Sequence, residues 1–416
     1  MAQDQKQQAR AAAEVVARGS YGKLVAYLAA RTRDVAGAED ALADAFAAAI
    51  ADWPLNGIPD SPEAWLLSVA RRKTIDAVRR RRSRESAADQ IKLMAEELDS
   101  APTSEIPDQR LALMFACAHP AIEPAIRAPL ILQTILGFDA ASIASAFLVA
   151  PATMGQRLTR AKAKIKQAGI PFDIPERTEL GERLDAVLAA IYAAFAEGWT
   201  DPAGTEARRR NLAGEALWLG RLVATLLPDE PEAFGLLALM LFAEARRPAR
   251  RDTDGDYVPL AEQDTALWDA ALMNEAERLL LRASRMGVIG RYQLEAAVQS
   301  AHGVRRLTGA ADWAAIEQLY DALLAMTGSP VVAINRAVAI AETQGPAAGL
   351  AALDALGGDT RLAEYQPYWA ARAGLLARMN DAAAAGAAYD RAIGLESDPA
   401  VRRFLQSRQS KLKASA

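Results

Sequence analysis

Residues 153–166 read TMGQRLTRAKAKIK. Met154, Leu158, Ala161 and Ile165 recur at i, i+4, i+7 and i+11, the spacing of one buried face of an α-helix. Gln156, Thr159, Arg160 and Ala163 stand opposite that stripe, with Arg157, Lys162, Lys164 and Lys166 along the flanks. Just upstream, DAASIASAF (139–147) predicts a short helix and LVAPA (148–152) a tight connection, with Pro151 near a helix start. A short helix, a tight turn and a polar-basic second helix make a helix-turn-helix pattern.

A second basic stretch lies at 68–82, SVARRKTIDAVRRRR, with seven Lys/Arg and one acid, Asp76. Asp76 is spaced to brace Arg72 and Arg80, pairs worth tenths of a kcal/mol each on a helix surface. Arg71, Lys73, Arg79, Arg81 and Arg82 have no nearby acid in sequence. Taken alone, the stretch reads as a solvated helix face; beside a helix-turn-helix it reads as a surface for a polyanion. The charge along the chain supports the second reading. Residues 1–82 carry a net +3 and 109–170 a net +5, while 83–108 carry −5 and 171–416 carry −7. Two basic blocks flank an acidic linker, and a large acidic half follows; such asymmetry bears on partners rather than on fold.

The chain has 416 residues, 51% of them hydrophobic, enough for two or three cores. Alanine dominates and β-branched runs are few, so the expected fold class is all-α. No run of about 18 apolar residues suggests a membrane span. The N-terminus lacks the apolar core of a secretion signal. Cys117 is the single cysteine, which excludes an internal disulfide framework and fits a cytoplasmic protein.

Four segments organise the sequence. Residues 1–82 hold helices over 9–53 ending at Trp53-Pro54, a turn-rich loop NGIPDSP (56–62), and a helix capped by Ser61 with Pro62 in its first turn. Residues 83–108 are the acidic linker, and 109–170 a second small helical unit ending in the helix-turn-helix. In 171–416, SPVVAINRAVAIAETQGPAAGLAALDAL (329–356) and YWAARAGLLARMNDAAAAGAAYDRAIGL (368–395) look alike. Each reads as helix, Gly- or Asn-marked turn, helix, at an offset of about 35 residues, close to the tetratricopeptide period.

Catalytic chemistry finds little support. The two histidines, His119 and His302, fall in different segments, and His119 with Cys117 lacks further metal ligands. RDTDGDY (251–257) resembles a calcium loop, but Gly255 comes fourth after Asp252 where that loop needs it sixth, so a tight Asp-Gly turn is expected. The arginines of EARRPARR (244–251) are expected to pair with Asp252, Asp254 and Asp256 rather than to bind an anion. No cofactor, metal or enzyme activity is implied.

The order of these motifs resembles the sigma factors of bacterial RNA polymerase. DVAGAEDALADAFAAAIADW (34–53) is similar to the segment that grips the clamp of the core enzyme, and AWLLSVARRKTIDAVRRRR (64–82) to the adjoining minus-ten helix. SIASAFLVAPATMGQRLTRAKAKI (142–165) is similar to the helix-turn-helix that reads the minus-thirty-five element. Together they resemble a two-domain extracytoplasmic-function (ECF) sigma factor. LLPDEPEAFGLLALMLFAEARRPAR (226–250), the Gln263-Asp264…Trp268-Asp269 cluster and SPVVAINRAVAIAE (329–342) resemble the subgroup with a C-terminal tetratricopeptide extension. Two departures stand out: FAEGW (195–199) where the subgroup has an asparagine-containing segment, and Ala152 in place of the usual turn glycine.

The resemblance implies that Asp34, Glu39, Asp40, Asp44 and Phe46 meet core RNA polymerase. It implies that loop 54–62 cups a base flipped from promoter DNA and that Arg71, Arg72, Lys73, Arg79 and Arg80 hold the surrounding backbone. Thr153, Gln156, Arg157, Thr159 and Arg160 would contact duplex DNA, with Gln156 and Thr159 suited to base edges and the arginines to phosphates or a guanine. The linker would lie in the polymerase's RNA path. The acidic repeat segment is expected to dock intramolecularly or on a partner protein, and no membrane contact is implied. Two rival readings are a helix-turn-helix regulator acting on duplex DNA without polymerase, and a repeat scaffold whose basic helix is incidental.

Overall fold

The computed structural model describes residues 2–82, 109–146, 149–199 and 207–415. Among them the fold is all-α, with one isolated antiparallel bridge, Arg251 to Tyr257. The chain divides into two compact units, residues 1–199 with 206–216, and 217–416 with 200–205. The acidic linker expected at 83–108 lies outside the described residues, as do residues 147–148 of the helix-turn-helix connection.

In the first unit, α1 (Ala2–Thr32) packs on α2 (Val35–Asn56), and α2 on α3 (Pro62–Arg82). Both helices carry small buried residues, Ala26 and Ala29 on α1 and Ala38, Ala41 and Ala45 on α2. Helix α2 continues through Pro54 instead of stopping at Trp53. Proline in a last turn forfeits only one hydrogen bond, and Gly57, at φ 88°, ends the helix by donating its N–H to the Trp53 carbonyl at 3.0 Å. Trp53 is buried edge-on to Trp65 of α3, with centroids 5.6 Å apart. As expected, α3 opens at Ser61-Pro62, where the Trp65 N–H donates to the Ser61 carbonyl at 3.1 Å.

Helix α4 (Arg110–Cys117) is buried on all sides, so it forms the interior of the unit. It is surrounded by α1, α5 (Pro124–Leu136) and α8 (Arg177–Trp199). Arg183 of α8 donates to the Phe115 carbonyl of α4 at 2.6 and 3.2 Å, and Arg110 pairs with Glu215. Residues 177–199 and 207–216 therefore belong with the first unit, whereas the sequence placed them in the 171–416 segment. The boundary between units falls inside α9 (Ala207–Leu226). The two helices expected for the helix-turn-helix are α6 (Ala140–Ala146) and α7 (Pro151–Gln167), and Met154, Leu158, Ala161 and Ile165 are all buried as the periodicity requires.

In the second unit, α10 (Pro231–Ala245) is apolar nearly all round and lies between α11 (Ala270–Ser284) and α12 (Arg291–Gly303). The Glu232 carboxylate of α10 caps the start of α12, accepting from the Tyr292 and Gln293 N–H groups at 2.8 and 3.0 Å. A one-turn helix, α13 (Arg305–Thr308), precedes a run of antiparallel helices. These are α14 (Trp313–Thr327), α15 (Pro330–Thr343), α16 (Pro346–Asp354), α17 (Gln366–Arg378), α18 (Ala382–Leu395) and α19 (Pro399–Ser415). The two look-alike segments are the pairs α15–α16 and α17–α18. Their turns are marked by Gly345 at φ 97° and Asn380 at φ 59°, an offset of 35 residues.

The long connection between α10 and α11 is tied to the last helix. Arg251 pairs with Asp398 at 2.6 Å, Asp256 with Arg403 at 2.5 Å and Glu262 with Arg408, while Tyr257 meets Phe404 edge-on. The aspartate-rich loop is the expected tight turn: Asp252 Oδ1 accepts from the N–H groups of Asp254 and Asp256, and Gly255 sits at φ 80°. Two of the arginines of 244–251 pair with other acids than expected, Arg247 with Glu244 and Arg251 with Asp398. Among the described residues, no group of His, Cys, Asp and Glu is arranged to hold a metal, and no helix is long and apolar enough to cross a membrane.

The approach of α1 to α5 rests on one residue: a Cβ at Gly22 would collide with the Ile135 carbonyl, a backbone atom that cannot swing away. Gly22→Ala is expected to destabilise the first unit by about 1–3 kcal/mol, the usual cost of overpacking, despite alanine's better helix propensity. Chemical denaturation of the full chain, followed by fluorescence, measures it.

Candidate nucleic-acid interface

Helix α7 presents two different faces. Thr153, Gln156, Arg157, Thr159 and Arg160 are exposed, and together they form the polar face that base reading would require. The Thr159 hydroxyl donates to the Gly155 carbonyl at 3.0 Å, which fixes its rotamer within the helix. On the flank, Lys162 and Lys166 turn toward α2. Lys162 pairs with Glu39 at 2.5 Å and Lys166 pairs with Asp34. Both acids are shielded, with side chains 16% and 17% exposed. Asp34 also caps α2, accepting from the Gly37 N–H at 3.0 Å.

Burial pushes the Glu39 carboxyl above its ordinary range, against the opposing pull of Lys162. The desolvation cost thus exceeds what the lysine returns. A carboxyl raised on folding binds more protons folded than unfolded, so its contribution is most favourable at low pH and is lost as pH rises through the raised value. Nearby, Tyr21 is raised by its own burial and then by Glu39 and Asp40.

The remaining sites divide. Asp40 and Asp44 are exposed and Phe46 is half-buried, and Asp44 lies 3.7 Å from Lys73 of α3. Arg71 is turned inward: its guanidinium donates to the Tyr27 hydroxyl at 2.5 Å and stands 5.3 Å from that ring's centroid. Arg72 is exposed, 3.3 Å from the Ser68 hydroxyl. The side chains of Arg79 and Arg80 lie outside the described residues, although α3 itself runs to Arg82. At the end of α2 and just beyond it, Leu55 and Ile58 are exposed apolar side chains, 83% and 43% open, on either side of Gly57. Cys117 is buried beside Thr134 and its thiol is pushed up to about 12, so it is chemically quiet.

The family described as Sigma-70 region 2 matches residues 18–84, the stretch containing the C-terminal part of α1, all of α2 and all of α3. A family of unknown function, DUF6596, matches residues 183–284. A relative from Rhizobium meliloti (strain 1021), the uncharacterized protein R00370, is 39% identical over 387 residues, covering 91% of this chain and 90% of its own. The chain belongs to the same family as that protein and carries a sigma-70 region 2. No solved structure matches. Over residues 18–84 the chain is thus similar to region 2 of sigma-70 factors.

Two features escaped the sequence. The pairing of Asp34 and Glu39 with Lys166 and Lys162 joins helices more than 120 residues apart in the chain. Its only trace is that both acids and both lysines are spaced about one helical turn apart. The inward turn of Arg71 had no trace, because Tyr27 is a partner only once α1 and α3 are packed.

Carbodiimide coupling, which joins an amine to a carboxylate in direct contact, is expected to link α7 to α2 through Lys162–Glu39 and Lys166–Asp34. Peptide mass spectrometry of the coupled full chain detects the two bridges, and molar salt should reduce the Lys166–Asp34 bridge more because that lysine is the more exposed.

Proposed function

We propose that the protein is a sigma factor of the extracytoplasmic-function type that binds core RNA polymerase and directs promoter recognition, DNA opening and transcription initiation. The observation that carries the reading is the region 2 match on residues 18–84, which contains both the acidic α2 and the basic α3. It is supported by a helix-turn-helix in the same compact unit with its polar face exposed. A sigma factor performs no bond chemistry of its own; it supplies sequence specificity and strand separation to the polymerase in the cytoplasm.

In this reading Asp34, Glu39, Asp40, Asp44 and Phe46 of α2 meet the polymerase clamp. The segment 54–62 receives a base flipped from the non-template strand, and exposed Leu55 and Ile58 supply apolar surface for it. Arg72, Lys73, Arg79 and Arg80 hold the strand around the opening, with Arg71 joining them when it leaves Tyr27. Thr153, Gln156, Arg157, Thr159 and Arg160 read the upstream element. The second unit is a tetratricopeptide-like extension that modulates this activity.

The ion pairs between α2 and α7 give the sigma-like unit a closed state. Asp34 and Glu39 cannot grip polymerase while Lys166 and Lys162 hold them. Closure therefore competes with core binding at the same carboxylates. Lys162→Ala with Lys166→Ala is expected to tighten binding to core enzyme by about 2- to 10-fold, the equivalent of two partly exposed ion pairs. Asp34→Ala with Glu39→Ala is expected to weaken it, and binding measured by fluorescence anisotropy gives the two signs.

Run-off transcription by core polymerase, with and without the protein, on genomic promoter fragments tests the reading. Protein-dependent transcripts are expected. Specific duplex binding without any polymerase-dependent transcript would indicate instead a regulator that works alone. Neutralising Arg79 and Arg80 is expected to impair promoter opening, followed by permanganate reactivity, more than binding to core.

A further inference from the structure

Helix α3 buries Leu66, Leu67, Ala70 and Thr74 and exposes Arg72. Arg71 stands at the border between these faces, one position after Ala70 and four after Leu67. A side chain of that length at a border can lie against the neighbouring helix or reach into solvent without any movement of α3. Here it lies inward. Its guanidinium donates to the Tyr27 hydroxyl of α1 at 2.5 Å and stands 5.3 Å from the centroid of that ring.

The two partners are held very differently. Tyr27 is buried, and Arg31, one turn further along α1, places its guanidinium carbon 3.7 Å from the ring centroid. The hydroxyl is therefore a fixed acceptor. Arg71 is held by less. Its hydrogen bond goes to a neutral hydroxyl rather than a carboxylate, and among the described residues its buried Nε has no hydrogen-bond partner.

A hydrogen bond from a charged donor gains about what a buried, unpaired N–H of the same group loses, so the inward placement is held lightly. A phosphate offers more, because Nε and a terminal nitrogen can donate side by side to two of its oxygens. We propose that the Tyr27 hydroxyl is a positioning group that parks Arg71 against α1 in the free protein and yields it to a phosphate of the separated promoter strand. The role rests on the reading of α3 as the strand-holding helix of a sigma factor. Parking withholds one cation of α3 from any polyanion met before a strand has opened. The ring of Tyr27 stays in place under Arg31 when Arg71 departs.

The test uses holoenzyme assembled from core polymerase and the full chain, on a promoter fragment that gives a protein-dependent transcript. Open complex is scored by permanganate reactivity over a series of salt concentrations. Tyr27→Phe removes the hydroxyl and keeps the ring. It should raise the equilibrium constant for opening by about 3- to 10-fold, the net worth of one hydrogen bond, with the salt slope unchanged. Arg71→Ala should lower the constant and make the slope shallower by about 0.7, the loss of one single-strand phosphate contact. In the Arg71→Ala background, Tyr27→Phe should then change nothing. Circular dichroism checks the fold of each variant. If Tyr27→Phe loosens it, the Arg71→Ala slope decides alone, since a guanidinium that stays on Tyr27 makes no phosphate contact. Opening unchanged or weakened by Tyr27→Phe, or an Arg71→Ala slope equal to that of the unaltered protein, overturns the proposal and leaves the pair as a brace between α1 and α3. No transcript with the unaltered protein on any fragment overturns the sigma-factor reading itself, and this role with it.

Discussion

The arrangement of the first unit depends on one electrostatic constraint, the meeting of two carboxylates on α2 with two ammonium groups on α7. Much of the rest of that unit is apolar packing, which orders helices but is indifferent to which acid faces which base. The ion pairs add selectivity. They fix the rotation of α7 so that its apolar stripe points inward and its polar face outward, with Lys162 and Lys166 consumed at the border between the two. The pairs are also poised. Burial already holds the Glu39 carboxyl above its ordinary range, so the contact spends desolvation that an alternative acceptor in a wetter place would not require.

Much of this architecture was legible in the sequence wherever it follows from local rules. The α7 stripe, the Pro62 helix start, the Asp-Gly turn at 252–255 and the turns at Gly345 and Asn380 each depend on residues within a few positions of one another. Sequence reasoning went astray at two kinds of place. Pro54 was read as a stop, yet a proline in a last turn costs little, and Gly57 is what ends α2. The helices beyond residue 170 share one alanine-leucine texture and read as a single segment, 171–416, but Arg183 commits α8 to the carbonyl of Phe115. Composition is shared by helices of both units, whereas a single buried hydrogen bond assigns a helix to one of them.

The candidate site divides along the same line. Which residues of α7 face outward was readable from the period alone. What becomes of a long charged side chain was not, because Arg71, Lys162 and Lys166 have reach enough to choose among several partners. Arg71 chooses Tyr27, Lys73 lies near Asp44 and the two α7 lysines choose α2. A count of basic residues therefore overstates the charge on offer to DNA in this state, since part of it is already engaged inside the unit.

The second unit resolves its charge differently. Its connection from α10 to α11 is long and polar, and α19 returns to it with Asp398, Phe404, Arg403 and Arg408, so opposite charges close the far ends of the helical run on each other. Arg246 and Arg305 are held in another way, by the face of Trp268 and by the neutral oxygens of Gln299, Leu260 and Gln263, so cation–π contact and hydrogen bonds offset the desolvation of these two guanidiniums where surface arginines use carboxylates.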